Sequence, residues 1–213
     1  MTWDQYSKEL ARRRIHQKDQ DFLEHVFQFA ARVHAGELRL SGEEYITHPI
    51  AVSLKLADLK LDTASIAAGL LHDTVERDPS CLKAIRKNFG EEIAFLVNAV
   101  TKVDRISASG VERALESVRK MFLAVAEDIR VVLVKLMDRA HNMETLKALP
   151  KEKQERIARE TLSIYAPLAE RLGMWNVKGE LEDLAFKYLW PKEYEEIAEA
   201  RSEEHTSELQ SQR

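Results

Sequence analysis

The chain has a single cysteine, Cys81, so an internal disulfide is excluded and the fold must rest on a packed core. Only 7 Gly and 5 Pro interrupt its 213 residues. No apolar run approaches the roughly 20 residues needed to span a bilayer, so no membrane partner is expected. The opening residues Met1-Thr-Trp-Asp-Gln lack the basic and apolar segments of a secretory signal. Neither sign of charge dominates: Lys and Arg number 32, Asp and Glu 36, for a net charge of −4. That balance argues against a general DNA-binding surface. An anionic substrate would then need local help from a metal or a few basic side chains. The expectation is a soluble, cytoplasmic protein.

Hydrophobic residues make up 45 %, enough for a sizeable core, and the 32 % of charged residues mix both signs as solvated helix faces do. Apolar spacing is mostly three and four. Phe22, Val26, Phe29, Ala30 and Val33 form one helical stripe, closed by Gly36. A loop is expected from Glu37 to His48, carrying Ser41-Gly42, and then a helix to Leu59 with Pro49 in its first turn. Asp62 suits the N-cap of a helix over Thr63–Val75, and Ser80 that of one ending before Gly90. Glu91–Val103 reads as helix, Asp104–Gly110 as loop and Val111–Glu127 as helix. Ile129–Met137 is rich in β-branched residues and would also suit a buried strand. Polar residues just after it recur at helical spacing, and this favours helix. Pro167 should kink or break Gln154–Leu172, and Asn176–Leu189 is a late helix ended by Pro191. The fold class expected is all-α, with roughly eight to eleven helices.

The C-terminus breaks this pattern. Arg201 to Ser211 reads RSEEHTSELQS, which resembles the in-frame translation of a sequencing-library adapter. Residues 201–213 are therefore expected to be a non-native tail, and the natural protein to continue past Ala200.

Chemistry-bearing residues collect at the ends of the apolar runs. His72-Asp73 follows Ile66–Leu71 and so lies at the inner end of a buried helix. Burying the two side by side is costly unless something pairs with them, and a divalent cation is the simplest partner. His48 precedes Pro49 at a helix start, and Asp138 ends the run Ile129–Met137. His48, His72, Asp73 and Asp138 together make a set of two imidazoles and two carboxylates from three segments, fit for one ion of Mn, Fe, Zn or Ni. Glu76 lies four residues after His72 and, on a helix, shares its face. It could orient or deprotonate a water activated at such a site. Asn142 would point the same way as Asp138, and the adjacent His141 reads as structural.

Five strings, in order, carry a resemblance. Arg39-Leu-Ser-Gly-Glu-Glu-Tyr-Ile-Thr-His48-Pro is similar to the motif R-K-S-G-E-x-Y-I-x-H-P. Gly69-Leu-Leu-His72-Asp73-Thr-Val-Glu76 resembles an HD motif, and Val100-Thr-Lys-Val a short V-T-K-[LV] segment. Val134-Lys-Leu-Met-Asp138-Arg-Ala-His-Asn142-Met resembles L-I-K-L-A-D-R-L-H-N-M. The stretch from Gln154 through Tyr165-Ala-Pro-Leu-Ala, with Arg171-Leu-Gly and Glu180-Leu-Glu-Asp-Leu-Ala-Phe, completes the set. These resemble the N-terminal HD-type hydrolase domain of the RelA/SpoT alarmone enzymes. The resemblance implies an HD-domain helical bundle over residues 1–200 with a single divalent-metal site. It implies Mn²⁺ as cofactor, guanosine tetraphosphate and pentaphosphate as substrates, and removal of their 3′-pyrophosphate to give GDP or GTP. It places the metal on His48, His72, Asp73 and Asp138, and the nucleotide on Arg39, Ser41 and Asn142. It also implies a synthetase domain in cis, following this one.

Two departures stand out. The family continues its HD motif with Glu-Asp, but here Glu76 is followed by Arg77, with Asp78 one residue on. The family's Arg-Lys pair is Arg39-Leu40. Arg77 then joins Glu76 as a catalytic candidate, either binding pyrophosphate or weakening hydrolysis. The expected function is Mn-dependent alarmone hydrolysis. The alternatives are a degenerate HD domain that regulates the synthetase, and a phosphohydrolase of another nucleotide.

Overall fold

The computed structural model describes residues 1–104, 119, 123 and 126–200. The expected loop beyond Asp104, almost all of the expected helix Val111–Glu127 and the 201–213 tail lie outside them. The described residues are helical almost throughout, with one isolated bridge between Leu38 and Glu44. They fall into two compact units, divided between Ala148 and Leu149.

In the first unit, α1 (Trp3–Arg12) and α2 (Gln17–Val33) precede a central pair, α3 (Thr47–Asp58) and α4 (Thr63–Leu71). α2 buries Leu23, Val26, Phe27 and Ala30, while Phe22 and Phe29 of the expected stripe pack edge-on against Phe89. α4 is apolar on all sides and buried from Ser65 to Leu71, which marks it as a core helix. It begins as expected: the Asp62 carboxylate accepts from Ser65 N at 2.7 Å. It stops earlier than expected. In place of one helix to Val75, the chain turns at His72-Asp73 and resumes as the short α5 (Thr74–Arg77). The Thr74 hydroxyl donates to Leu71 O at 2.6 Å, competing with the backbone for that carbonyl. α6 (Cys81–Phe89) starts at Ser80, but the Ser80 side chain does not cap it. The Ser80 amide itself donates to the carboxylate of Asp78, at 2.9 Å.

α7 (Glu91–Asp104) and α8 (Ile129–Glu144) complete the core. The β-branched run is helix, as its polar spacing predicts, and the Asp128 carboxylate accepts from Arg130 N at its start. α8 packs on α3, α4 and α7.

In the second unit, α9 (Lys151–Glu160) passes through a π turn, Thr161–Tyr165, into α10 (Ala166–Arg171). The wide turn falls in the stretch where the ring of Pro167 opposes regular i→i−4 bonding, so the expected kink takes this form. α11 (Trp175–Leu189) ends at Trp190, and residues 191–200 form a further helix with Pro191 at its first position, where a missing N–H costs little.

Candidate metal centre

Three elements of the first unit deliver the cluster. The first turn of α3 carries His48, the end of α4 carries His72 with Asp73 beside it, and the middle of α8 carries Asp138. His48, His72 and Asp138 are buried, and each offers an atom within 4.8 Å of the others. His48 Nε2 lies 3.2 Å from His72 Nε2 and 3.2 Å from Asp138 Oδ1. His72 Nε2 is 3.7 Å from the same oxygen. Asp73 faces both imidazoles, with Oδ1 3.1 Å from His72 Nε2 and Oδ2 3.5 Å from His48 Nε2. All four predicted ligands therefore meet.

The histidines approach closely because α3 and α4 do. A Cβ on Gly69 would stand 3.2 Å from Ser53 Cα and 2.5 Å from Leu56 Cδ1, so only glycine lets the helices cross at this separation. Gly69 also supplies the carbonyl that accepts from His72 Nδ1 at 2.8 Å. With that nitrogen carrying a proton, His72 Nε2 is free to turn a lone pair toward the cluster.

Around this group the charges are unbalanced in favour of a cation. Burial alone would raise the Asp138 carboxyl, but Lys135 and the two histidines outweigh it and hold it well below the usual range. Burial pushes His72 down, yet Asp73 and Asp138 overcome this and hold it up at about 9. Burial pushes His48 down, against the pull of Asp138. A proton or a metal ion would answer the same demand. Neutral imidazoles and ionised carboxylates are the donor set for a divalent transition metal, so the residues fit one.

Further residues close over the four. Lys135 Nζ donates to Asp138 Oδ2 at 2.6 Å, and Asn142 Nδ2 to Asp138 Oδ1 at 2.7 Å. Tyr45 Oη donates to Asp73 Oδ2 at 2.8 Å, and its ring stacks on His34, 4.7 Å between centroids. Burial, then the Asp73 charge, raises the Tyr45 hydroxyl far above its ordinary value and keeps it a donor. His141 Nδ1 lies 2.8 Å from His48 Nδ1. Burial first, then His48 and Arg39, push His141 down to about 3, so the ring is neutral.

Arg39 belongs to this network. Its guanidinium reaches His141 Nδ1 at 3.2 Å, Asn142 Oδ1 at 3.2 Å and Thr145 Oγ1 at 3.1 Å. Ser41, Glu76 and Arg77 are exposed. Ser41 makes one long contact to Glu43 Oε2, at 3.4 Å. Arg77 Nε lies 3.7 Å from Glu37 Oε2, the oxygen that also meets His34 Nδ1 at 3.0 Å.

A family model described as HD domain matches residues 26–175. The chain belongs to the HD-domain family. Within it the chain is a RelA/SpoT homologue. The probable guanosine-3′,5′-bis(diphosphate) 3′-pyrophosphohydrolase of Synechocystis sp. is 56 % identical over 81 % of this chain and 23 % of its own length. The GTP pyrophosphokinase of Streptomyces coelicolor is 53 % identical over 82 % of this chain and 20 % of its own length. The bifunctional (p)ppGpp synthase/hydrolase SpoT of Escherichia coli is 47 % identical, over 83 % and 25 %. The chain thus spans a fifth to a quarter of these curated relatives. A solved structure, of a metazoan ortholog of SpoT that hydrolyzes ppGpp and plays a role in starvation responses, superposes with a TM-score of 0.61. It shares 25 % identity over 77 % of this chain and 93 % of its own.

Tyr45, Lys135 and Thr145 are not among the residues that the motifs single out. All three lie in or beside the motif strings. Lys135 and Thr145 also stand three residues from Asp138 and Asn142 respectively, the helical spacing that marks a shared face. His141 read as structural, and its contacts give it more to do.

Proposed function

We propose that this HD domain removes the 3′-pyrophosphate from guanosine tetraphosphate and pentaphosphate, giving GDP or GTP, with Mn²⁺ held by His48, His72, Asp73 and Asp138. The observation that carries the reading is the convergence of His48, His72 and Asp138 at one buried point. The names of the relatives support the substrate. When bound, the metal supplies Lewis acidity and brings the pKa of a water toward about 7. The chain's own residues do the rest. Arg39 holds the nucleotide, since a guanidinium can stack on a base and stays charged, and Ser41 and Asn142 border the same place. Glu76 takes the proton of the attacking water as the phosphorus–oxygen bond to the ribose 3′-oxygen breaks, and that proton returns to the 3′-oxygen, which leaves as a hydroxyl. Arg77, next to Glu76, limits this step. Residues 1–200 form the hydrolase domain, and a synthetase domain follows in the longer natural protein, as a relative named for both activities supports.

Arg77, standing where the family has an acid, favours a second reading: a domain that binds metal without turnover and regulates its synthetase. Pyrophosphate release from guanosine tetraphosphate, followed with and without Mn²⁺, separates the two. Mn-dependent release supports hydrolysis, and none at full metal occupancy supports the regulatory reading. Elemental analysis tests the ligands. His48→Ala and Asp73→Ala should lose the metal, and full retention in either removes that residue from the set.

A further inference from the structure

One nitrogen stands between the guanidinium of Arg39 and the metal cluster. His141 Nδ1 is 3.2 Å from Arg39 Nη1 and 2.8 Å from His48 Nδ1. A guanidinium has five N–H donors and no acceptor, and it does not lose its proton. Arg39 must therefore donate, and His141 Nδ1 must present a lone pair. The same nitrogen cannot then donate to His48, so His48 Nδ1 carries the hydrogen of the second bond. A neutral imidazole has one N–H, which leaves His48 Nε2 bare. That nitrogen lies 3.2 Å from both His72 Nε2 and Asp138 Oδ1.

We propose that His141 is a positioning residue that fixes His48 in the tautomer able to ligate a metal, and that Arg39 fixes His141 in turn. The proposal rests on the metal reading given above. Without an acceptor at His141 Nδ1, His48 would divide between two tautomers. One of them turns an N–H toward the cluster and cannot ligate. The other histidine of the pair is held independently, by the Gly69 carbonyl at 2.8 Å. Each imidazole thus has its own fixed acceptor behind it, a backbone carbonyl for His72 and a side chain for His48. Only the second can be removed by mutation, and only the second is tied to a residue proposed to hold the nucleotide. Arg39 accordingly acts on the metal as well as on the substrate.

The test compares Mn²⁺ affinity, by calorimetric titration of the whole chain, with the His48 tautomer before metal is added, by long-range proton–nitrogen NMR. His141→Leu removes the acceptor and should weaken Mn²⁺ about 10- to 100-fold, the range for loss of a partner behind a ligand. His141→Asn places an amide oxygen near the lost Nδ1 and should recover most of the affinity. Arg39→Met should shift affinity in the same direction as His141→Leu, by less. NMR should find the proton on His48 Nδ1 in the wild type and on both nitrogens in His141→Leu. Wild-type affinity in His141→Leu, or an Nε2 proton on His48 in the wild type, overturns the proposal. If His141→Leu does not fold, equal loss in His141→Asn and His141→Ala overturns it as well. Mn²⁺ binding that is absent from the wild type, or unaffected by His72→Ala, defeats the metal reading instead, and the NMR result still decides the tautomer.

Discussion

Tyr45 and Asp73 are joined by a 2.8 Å hydrogen bond that ties the loop before α3 to the turn after α4. The tyrosine is itself held by its stack on His34. Tyr45→Phe keeps the stack and removes the donor. Asp73 then loses one of the contacts that aim it at His48 and His72. Mn²⁺ affinity should fall by about tenfold, the low end for such partners, because the other Asp73 oxygen keeps its place. A calorimetric titration checks this, and unchanged affinity would reduce Tyr45 to a packing residue.

Gly69→Ala sets two effects against each other. Alanine gains up to about 1 kcal/mol of helix propensity over glycine. Its Cβ also meets the backbone of α3 at Ser53, 3.2 Å away, and a leucine tip can move where a helix backbone cannot. Overpacking of this kind typically costs about 1–3 kcal/mol, so the clash should win. Denaturant unfolding should show net destabilisation, and Mn²⁺ affinity should fall with it, since α3 and α4 carry the two histidines. Increased stability would mean the helices can part freely.

Asp62→Ala removes the N-cap of α4, bonded at 2.7 Å to Ser65 N. About 1 kcal/mol of stability should be lost, within the usual range for caps. The loss should depend on pH. Burial works to raise the Asp62 carboxyl, but bonds from Ser65 and the Arg130 charge outweigh it and hold it below its ordinary value. A carboxyl depressed in the folded state contributes above its unfolded value of about 3.9 and loses that contribution as pH falls through the folded value. The gap between wild type and Asp62→Ala should therefore be full at neutral pH and close below about pH 4. A gap that persists there would trace to lost packing.

Arg77→Asp restores the family's acidic pair beside Glu76. General-base assistance is worth about 10²–10⁴ in rate, so the rate constant at saturating guanosine tetraphosphate should rise by at least about tenfold with metal content matched. The substitution also gives up the approach of Arg77 to Glu37, which is exposed and contributes little to stability. An equal or slower rate would make Arg77 a working phosphate contact of this domain.

The helices and the four proposed ligands were legible because both leave a local signal. Apolar residues at steps of three and four announce a helix, and His48, His72, Asp73 and Asp138 each sit where an apolar run begins or ends. The break after Leu71 was not legible, since it turns on which carbonyl the Thr74 hydroxyl takes. Ser80 has the chemistry of a cap for α6 but makes no side-chain cap bond, and no local signal announces that. Pro167 announced a kink without saying that a π turn would absorb it. His141 was the hardest to read. Its bond to His48 spans 93 positions, and no spacing rule reaches that far.

The cluster is drawn from parts of the chain that meet only in the folded state. His48 and His72 are 24 positions apart, and the network continues to His141 at a separation of 93. An unfolded chain would have to close those loops before it could offer an ion more than the adjacent pair His72 and Asp73. On the proposed metal reading, a divalent ion would therefore discriminate between native and denatured chains, and would act as a ballast on the folding equilibrium as well as a participant in chemistry. At an ion concentration a hundredfold above the dissociation constant, it adds about 2.7 kcal/mol to the native side. The melting temperature of this domain thus becomes a property of the surrounding ion pool, and metal starvation would thin the folded population before any substrate is met.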